Sequence, residues 1–337
     1  MQLLVTGGAG FIGSNYVRWV LGHTEDAVVV LDALTYAGNL DNFRGLPGFE
    51  SADGTGPDAG IDPRRFRFVH GDICDRAAVA AAMAGCTHVV HFAAESHVDR
   101  SIQDPDRFVI TNCLGTNVIC DIARQQGIER VLHVSTDEVY GSVEVGSSTE
   151  ADLLVPRSPY SAAKAGSDLI ALGYRSTFGL DVVVTRASNN YGPLQFPEKV
   201  IPLFVTNLLE GRSVPLYGDG LNMRDWLYVE DHCRGVDVAL RQGAAGEIYN
   251  IGGGNEITNR ELTDRLLALC GRDETFINYV ADRLGHDRRY SVDCSKLRGL
   301  GWAPTRNFEA GLAETVSWYR DNRWWWEPLR ARAATAG

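Results

Sequence analysis

Hydrophobic residues in the first 185 positions come in short runs that alternate with longer segments of helical periodicity. Each run is almost continuously apolar, which is typical of strands covered by helices on both faces. The runs predict strands at 3–6, 28–31, 66–70, 88–92, 131–135 and 182–186. Segments of helical period follow Gly10, Asp75, Asp104, Asn112, Ser158, Pro197 and Asn259. The alternation predicts an α/β fold with a doubly wound parallel sheet.

The regular alternation stops after Arg186, where prolines become frequent. Because one hydrophobic core stops growing at about 250–300 residues, a chain of 337 residues is expected to add a smaller C-terminal α/β domain. The stretch 246–254 has the character of one more strand of the first sheet. We therefore expect a first domain at 1–188 plus approximately 225–257, and a second at approximately 189–224 and 258–337. The segment 44–63, rich in Gly, Pro and Asp, predicts a surface loop.

The charge balance excludes some partners. The chain carries 32 lysines and arginines against 43 aspartates and glutamates, a formal net charge of −11, which disfavours binding to nucleic acid or to an anionic membrane. No apolar run reaches the roughly 18–20 residues that span a bilayer, and a strand begins at Leu3, so we expect a cytoplasmic protein without a signal peptide. The seven cysteines form no C-x-x-C pair, which favours free thiols and predicts no metal site.

A glycine-rich segment, GGAGFIG, joins the first predicted strand to a helical segment. Glycines at such a junction let the backbone approach a pyrophosphate, whose charge the N-terminus of the helix stabilises. Two templates fit, one beginning at Gly7 and the other at Gly8. Both continue through Gly10 and Gly13, and spacing does not choose between them. Asp32 ends the next strand, where a carboxylate accepts from a ribose, so the pattern predicts a Rossmann-type dinucleotide site and favours NAD over NADP.

Candidate catalytic groups occur in two places. Thr136, Asp137 and Glu138 follow the fifth predicted strand, where open α/β sheets bind ligands, although Thr and Asp are equally common as helix caps. Tyr160 and Lys164 share one face of a predicted helix. An ammonium beside a phenol favours the phenolate, so we expect Lys164 to lower the pKa of Tyr160 toward neutrality and make it a general base.

These motifs together resemble a known family. The glycine segment, the hydroxyl of Thr136 and the Tyr160-x-x-x-Lys164 pair are similar to those of extended short-chain dehydrogenases/reductases that act on nucleotide sugars. Within that group, the chain resembles the dTDP-glucose 4,6-dehydratases in residues 92–101 (FAAESHVDRS), 136–141 (TDEVYG), 188–193 (SNNYGP) and 285–290 (GHDRRY). The resemblance covers roughly residues 1–325, and the Asp-Glu pair in TDEVYG is its most specific part.

The resemblance implies a hydro-lyase that converts dTDP-glucose to dTDP-4-keto-6-deoxyglucose and water. In that family C4 is oxidised, water leaves across C5 and C6, and the hydride returns to C6, so that tightly bound NAD+ is regenerated in each turnover. Tyr160 would take the 4-OH proton, Thr136 would hydrogen-bond the C4 oxygen, and Lys164 would hold the nicotinamide ribose. Glu138 would remove the C5 proton while Asp137 protonates the departing 6-OH.

Two other functions remain open. A nucleotide-sugar 4-epimerase or decarboxylase on the same scaffold would use Tyr160 and Lys164 without elimination, and the Asp137-Glu138 pair argues against the epimerase. A non-catalytic NAD-sensing regulator would not need Thr136, Tyr160 and Lys164 together.

The resemblance also implies binding residues, carried over position by position. The expected cofactor contacts are Gly7, Gly10, Phe11, Ile12, Gly13, Asp32, Leu34, Thr35, Asp72, Ile73, Phe92, Ala93, Ala94, Thr111, Tyr160, Lys164 and Asn190. The expected substrate contacts are Ser96, Thr136, Asn189, Lys199, Val200, Pro215, Tyr217, Arg224, Asn259, His286, Arg289 and Tyr290.

Some of these residues have plainer interpretations. Guanidinium groups such as those of Arg224, Arg288 and Arg289 suit a diphosphate, but they could also form surface ion pairs with carboxylates such as Asp225 or Asp287. Glu95 and His97 lie beside the carried-over stretch and could equally be solvated loop residues. Helices over 104–124 and 160–178 are expected to form the face of a homodimer, as in the resembling family.

Overall fold

The structure is a computed structural model that describes residues 1–49, 61–282 and 287–335, with side chains described up to residue 331. Residues 50–60 of the loop expected at 44–63 lie outside the described residues, as does the expected substrate contact His286.

Twelve strands occur in the described residues. They are β1 (Gln2–Thr6), β2 (Ala27–Asp32), β3 (Phe66–His70), β4 (His88–His91), β5 (Arg130–Thr136), β6 (Val182–Ala187), β7 (Asn189–Tyr191), β8 (Val214–Tyr217), β9 (Met223–Tyr228), β10 (Ile248–Ile251), β11 (Glu256–Thr258) and β12 (Ile277–Val280). Seven of them form one sheet in the order β10-β6-β5-β4-β1-β2-β3, and every neighbouring pair is parallel. The predicted doubly wound parallel sheet is therefore confirmed.

The helices of the described residues are α1 (Phe11–His23), α2 (Arg76–Met83), α3 (Val98–Gln103), α4 (Pro105–Phe108), α5 (Gly115–Gln126), α6 (Pro159–Phe178), α7 (Val200–Leu209), α8 (Val229–Gln242), α9 (Asn259–Leu269), α10 (Ser295–Arg298), α11 (Phe308–Asp321) and α12 (Arg323–Thr335). Short 3-10 helices cover Leu40–Phe43, Pro63–Arg65, Asp137–Tyr140 and Glu274–Phe276, and Val109–Leu114 is π-helical.

Both faces of the large sheet are buried, and the alternation along each strand decides which side chain meets which helices. On β2, Val28 and Val30 pack in the core that contains α1 and α8. Val29 and Leu31 pack in the opposite core, which contains α2, α5 and α6. Because both sets are apolar, each strand is a continuous hydrophobic run, which is the pattern from which the sheet was predicted.

The second region has its own apolar core, built from α7, α9, α11 and α12 around two small sheets. These sheets have the orders β11-β9-β7 and β12-β8. Trp325 and Trp326 are buried in this core, and the indole of Trp325 donates to Asn42 Oδ1 at 2.8 Å. The tryptophan-rich tail therefore packs inside the molecule.

Several elements differ from the sequence pattern. Helix α8 was not predicted, and it packs on the large sheet. Asn112 does not begin a helix but lies inside the π-helical segment Val109–Leu114, between α4 and α5. The approximate domain limits at 225 and 257 fall within β9 and β11, both of which belong to the small sheet. The division into two domains stays a proposal, with α8 and β10 as the segments that return to the first.

Candidate functional site

A cleft of about 740 Å³ opens at the carboxyl ends of the strands of the large sheet. The strand order reverses at β1, which lies between β2 and β4, and sheets of this kind bind ligands at such a point. A second pocket of about 210 Å³ lies beside α7, β8 and β9. Glu138, Asn189 and Lys199 line both spaces, so they form one continuous cleft.

The glycine turn between β1 and α1 forms the floor of the cleft. Gly7 has φ +69°, and a Cβ there would lie 2.6 Å from the backbone nitrogen of Ala93. A Cβ on Gly13 would lie 2.3 Å from the carbonyl oxygen of Gly7. Gly7, Gly10 and Gly13 line the cleft, whereas Gly8 packs against Val30. The structure therefore favours the template that begins at Gly7.

The carboxylate of Asp32 lies beside this turn. It accepts hydrogen bonds from the backbone N–H groups of Ala9, at 2.9 Å, and Leu34, at 2.8 Å. Burial raises the pKa of Asp32 above its usual value, although both hydrogen bonds act in the opposite direction. Asp32 therefore fixes the turn and lines the cleft. Leu34, which was expected to contact the cofactor, does not line the cleft, because its side chain packs against the core.

With the exception of Leu34, every expected cofactor contact lines the larger space. The structure adds residues that the sequence pattern did not select, including Tyr36, Glu198 and His232. His232 is buried on α8, and its Nδ1 lies 2.9 Å from Asn190 Oδ1. Since α8 was not predicted, nothing in the sequence pattern pointed to this histidine.

Tyr160 and Lys164 reach the cleft from α6. The helix begins with Pro159 after a capping box, in which Ser158 Oγ accepts from the N–H of Ser161 at 3.0 Å. Lys164 Nζ donates to the carbonyl oxygen of Val134 at 2.7 Å, and burial lowers the pKa of Lys164 to about 8. Sequence spacing alone predicted the shared face, but the cap and the strand contact fix its direction.

The expected effect of Lys164 on Tyr160 is wrong for the protein alone. Burial raises the pKa of Tyr160 and the charge of Glu138 adds to the rise, whereas the hydrogen bond with Thr136 lowers it. Since desolvation penalises the phenolate, a lower pKa would require a further positive charge in the cleft.

Strand β5 ends at Thr136, whose hydroxyl accepts from the N–H of Glu138 at 3.2 Å and caps the turn Asp137–Tyr140. The capping interpretation of Thr136 thus holds, and it does not exclude catalysis, because Thr136, Asp137 and Glu138 all line the cleft.

Asp137 and Glu138 are adjacent in sequence but differ in environment. The side chain of Asp137 is 3% exposed, and burial together with the charge of Glu138 raises its pKa well above the usual value. Its Oδ2 atom has no hydrogen-bond partner among the described residues. Glu138 is only half-buried and faces both parts of the cleft. The pair therefore offers a buried carboxyl group, whose raised pKa favours the protonated form, beside a second carboxyl group that is less buried.

The smaller pocket collects most of the expected substrate contacts. Those that line it are Ser96, Asn189, Lys199, Val200, Pro215, Tyr217, Arg224, Asn259 and Tyr290. Arg224 donates to the carbonyl oxygens of Met223 at 2.7 Å and Asp287 at 2.9 Å. Its guanidinium carbon lies 4.4 Å from the centroid of the Tyr290 ring. The alternative of an ion pair with Asp225 is not what the structure shows, because Asp225 accepts from backbone N–H groups instead.

Two arginines are placed elsewhere. Arg289, an expected substrate contact, lines neither pocket and forms a two-point ion pair with Glu256 at 2.7 and 2.9 Å. Arg288 pairs with the exposed Asp219 at 2.9 and 3.0 Å. The ion-pair interpretation therefore holds for both, with partners that lie far away in sequence.

Glu95 is not a solvated loop residue. It is 5% exposed, lines the cleft and forms an ion pair with Arg107 at 2.8 Å. Within the described ranges, no group of three or more His, Cys, Asp or Glu side chains could hold a metal ion. None of the described helices is long and apolar enough to cross a membrane.

A parallel sheet with a glycine turn at β1, and a Tyr-x-x-x-Lys pair beside it, define a short-chain dehydrogenase/reductase of the extended type. The sequence model of the family described as GDP-mannose 4,6 dehydratase matches residues 4–315, and the chain belongs to this family.

Relatives and solved structures agree with this assignment. A dTDP-glucose 4,6-dehydratase of Streptomyces antibioticus is 56% identical, covering 99% of this chain and 97% of its own. One from Actinoplanes sp. is 55% identical, covering 97% of this chain and 100% of its own. The crystal structure of DesIV, a dTDP-glucose 4,6-dehydratase from Streptomyces venezuelae with NAD bound, has a TM-score of 0.92 and 56% identity, covering 98% of this chain and 100% of its own. The resemblance inferred from the motifs is confirmed.

Proposed function

We propose that this chain is an NAD-dependent dTDP-glucose 4,6-dehydratase, which converts dTDP-glucose to dTDP-4-keto-6-deoxyglucose and water. The observation that carries the proposal is the pairing of Asp137, buried with a raised pKa, with the half-buried Glu138. Both line the same cleft as Tyr160 and Lys164. A redox pair alone would suit many reactions of this fold, whereas an added acid and base suit an elimination.

The cleft fits NAD. Gly7 and Gly13 line the cleft on a turn so tightly packed that a Cβ on either would clash with neighbouring backbone, and Asp32 stands where a ribose hydroxyl can donate to it. Helix α1 begins beside this floor, and its N-cap residue, Gly10, gives the first N–H groups no side-chain hydrogen bond, which favours an anion at this end of the helix. Bound there, NAD+ would accept the hydride from C4 of the sugar and return it to C6 later in the same turnover.

Oxidation at C4 requires a base for the 4-hydroxyl proton. We assign this task to Tyr160, with Thr136 as hydrogen-bond partner of the C4 oxygen. The Tyr160 phenolate needs positive charge nearby, because burial and Glu138 both oppose it in the protein alone. Lys164, held by the carbonyl of Val134, supplies part of that charge while it remains protonated.

Elimination of water then divides the two carboxyl groups by role. A ketone at C4 acidifies the C5 proton, and we assign its removal to Glu138. Burial and the charge of Glu138 raise the pKa of Asp137 well above its usual value, so we assign to it the protonation of the departing 6-hydroxyl. A 4-epimerase has no step that uses such an acid and base, which is why we prefer the dehydratase to the epimerase or decarboxylase.

The test is to incubate the purified protein with dTDP-glucose without added NAD and to follow the product by NMR. We expect the 4-keto-6-deoxy sugar, at a rate that a Tyr160→Phe control does not reach. Formation of the 4-epimer, or of a shortened sugar, would instead support the alternative functions. If the protein converts another nucleotide sugar but not dTDP-glucose, the proposed substrate is wrong.

We also infer a homodimer. Apolar side chains on α3, on the π-helical segment Val109–Leu114 and on α6 are exposed, among them Ile102 (44%), Leu114 (47%), Leu169 (63%) and Phe178 (55%). Such a patch favours an interface between copies. Sedimentation should give twice the monomer mass of 36.9 kDa, and Leu169→Glu should lower the sedimenting mass.

The seven unpaired cysteines favour a reducing compartment, so we place the enzyme in the cytoplasm.

A further inference from the structure

The two carboxyl groups assigned to elimination stand on one short 3-10 turn, Asp137–Tyr140. A single turn has too few hydrogen bonds of its own to hold two side chains in a fixed direction. The last residue of the turn, Tyr140, is 5% exposed and lines neither pocket. Its side chain belongs instead to a buried network of hydrogen-bonded polar side chains.

This network consists of the side chains of Asn250, Tyr140, Arg186 and Asp168, each at most 5% exposed. The hydroxyl of Tyr140 donates to Asn250 Oδ1 at 2.9 Å and accepts from Arg186 Nη1 at 2.9 Å. Arg186 Nε in turn donates to Asp168 Oδ2 at 2.9 Å. The guanidinium carbon of Arg186 also lies 4.8 Å from the centroid of the Tyr140 ring, so the tyrosine is held by its ring as well as by its hydroxyl.

Both ends of this network, Asn250 and Asp168, lie on elements of secondary structure. Asn250 lies on the edge strand β10, and its amide donates to the carbonyl oxygens of Ser148 at 3.1 Å and Asp293 at 3.2 Å. Asp168 lies on α6, one helical turn after Lys164, and also contacts His133 Nε2 on β5 at 3.3 Å. The carboxyl turn is therefore tied to the same helix that carries the Tyr-x-x-x-Lys pair.

The ion pair between Arg186 and Asp168 restricts movement within this network. Arg186 and Asp168 form a buried ion pair, at 2% and 0% exposure. Separating buried opposite charges leaves each uncompensated, so the pair strongly resists rearrangement. Tyr140 accepts a hydrogen bond from Arg186, so the ion pair fixes the position of the tyrosine side chain as well.

We propose that Tyr140 and Arg186 are positioning residues for the dehydration, which hold Asp137 and Glu138 in register with Tyr160. The proposal deepens the function proposed above and rests on it. Because Tyr140 belongs to the carboxyl turn itself, whereas the network reaches α6 only at Asp168, one turn beyond Lys164, its loss should impair elimination at C5 and C6 more than oxidation at C4.

Tyr140→Phe in the full-length protein tests this, since it removes one hydroxyl and keeps the ring over Arg186. We expect kcat to fall at least about tenfold, because small misplacements of catalytic groups are costly. KM for dTDP-glucose should stay within about twofold, because no substrate contact is removed. The kinetic isotope effect with 5-deuterated dTDP-glucose should rise and that with 4-deuterated substrate should fall, as C5 proton removal becomes more rate-limiting.

The matched control is Tyr174→Phe. The hydroxyl of Tyr174 likewise donates to an asparagine, Asn117 Oδ1 at 3.0 Å, but it lines neither pocket. Its kcat and isotope effects should equal those of the wild type. Wild-type kcat in Tyr140→Phe, or a lower kcat with both isotope effects unchanged, would overturn the inference. A wild-type protein that makes no 4-keto-6-deoxy product would overturn the proposed function instead.

If Tyr140→Phe does not fold, Asn250→Ser weakens the same hydrogen bond from the other side. We expect a smaller fall in kcat with the same opposite movement of the two isotope effects. Isotope effects equal to those of the wild type in this variant would also contradict the proposal.

Discussion

At the cofactor end of the cleft, the floor is backbone supplied by one continuous segment, which carries Gly7, Gly10 and Gly13. At the sugar end, the surface consists of side chains from separate segments, such as Ser96, Lys199, Arg224 and Tyr290. The first surface tolerates almost no added atom, because a Cβ on Gly7 or Gly13 would clash with neighbouring backbone. The second depends on which distant elements pack together, and its residues can be exchanged one at a time.

The carboxyl turn lies between these two ends. Thr136 and Asp137 line the larger space, whereas Glu138 lines both. Neighbouring residues of one turn thus acquire different properties, because one side chain is buried and the next reaches the open part of the cleft. The residues that line the cleft therefore come from many segments of the chain, whereas the proposed chemistry depends on the difference in burial between Asp137 and Glu138.

The largest effect is expected at the backbone surface, from Gly13→Ala. The new Cβ would lie 2.3 Å from Gly7 O and 2.9 Å from Gly8 Cα, so the turn must shift and cofactor binding should be abolished. The NAD content of the purified protein measures this. The control is Gly22→Ala on the same helix, where a Cβ meets nothing within 4 Å. Equal NAD content in both variants would contradict the importance of the turn.

Glu138→Gln should have the next largest effect. Removal of a general base typically costs about 10²–10⁴-fold in rate, so kcat should fall within this range while the NAD content stays unchanged. Deuterium from solvent should no longer enter at C5. Glu144→Gln, at an exposed carboxylate, serves as the control. Turnover equal to that of the wild type would remove Glu138 from its assigned role.

Arg224→Leu tests the sugar end, where a smaller and purely binding effect is expected. A hydrogen bond to a charged group contributes about 1.5–3 kcal/mol, which corresponds to an increase of about 10- to 150-fold in KM for dTDP-glucose. The value of kcat should change little, because the guanidinium does not touch the reacting carbons. Arg298→Leu, at an exposed arginine, should leave both constants unchanged. A fall in kcat with constant KM would show that the two ends of the cleft are not separable in this way.

The smallest effect is a dependence on pH. Burial lowers the pKa of Lys164 to about 8 from an ordinary value of 10.5, so the ammonium loses its proton as pH rises through about 8. Since the protonated form stabilises the phenolate of Tyr160, kcat/KM should fall above that pH by about tenfold per unit. Lys164→Arg keeps the charge and should remove this fall, even if its activity at neutral pH is lower. A flat profile up to pH 10 in the wild type would contradict the assignment.

Much of the molecule was predictable because its signals are local. The six predicted strands all lie in the large sheet, since apolar runs of strand length reflect burial on both faces. The glycine turn and the Tyr160-x-x-x-Lys164 face follow from spacing within single segments. Helix α8 escaped prediction, and with it His232, because the helix begins at Val229 directly after β9 ends at Tyr228, so that no turn residue marks its start.

Local sequence signals suffice to derive the parallel sheet, the turn that approaches a pyrophosphate and the residue types available for catalysis. Tertiary structure alone decided that Arg224 enters the pocket while Arg289 pairs with Glu256. It also decided that Asp137 is the more buried carboxyl group of its pair. The physical reason is that backbone geometry depends on neighbours along the chain, whereas desolvation and ion pairing depend on groups that only folding brings together.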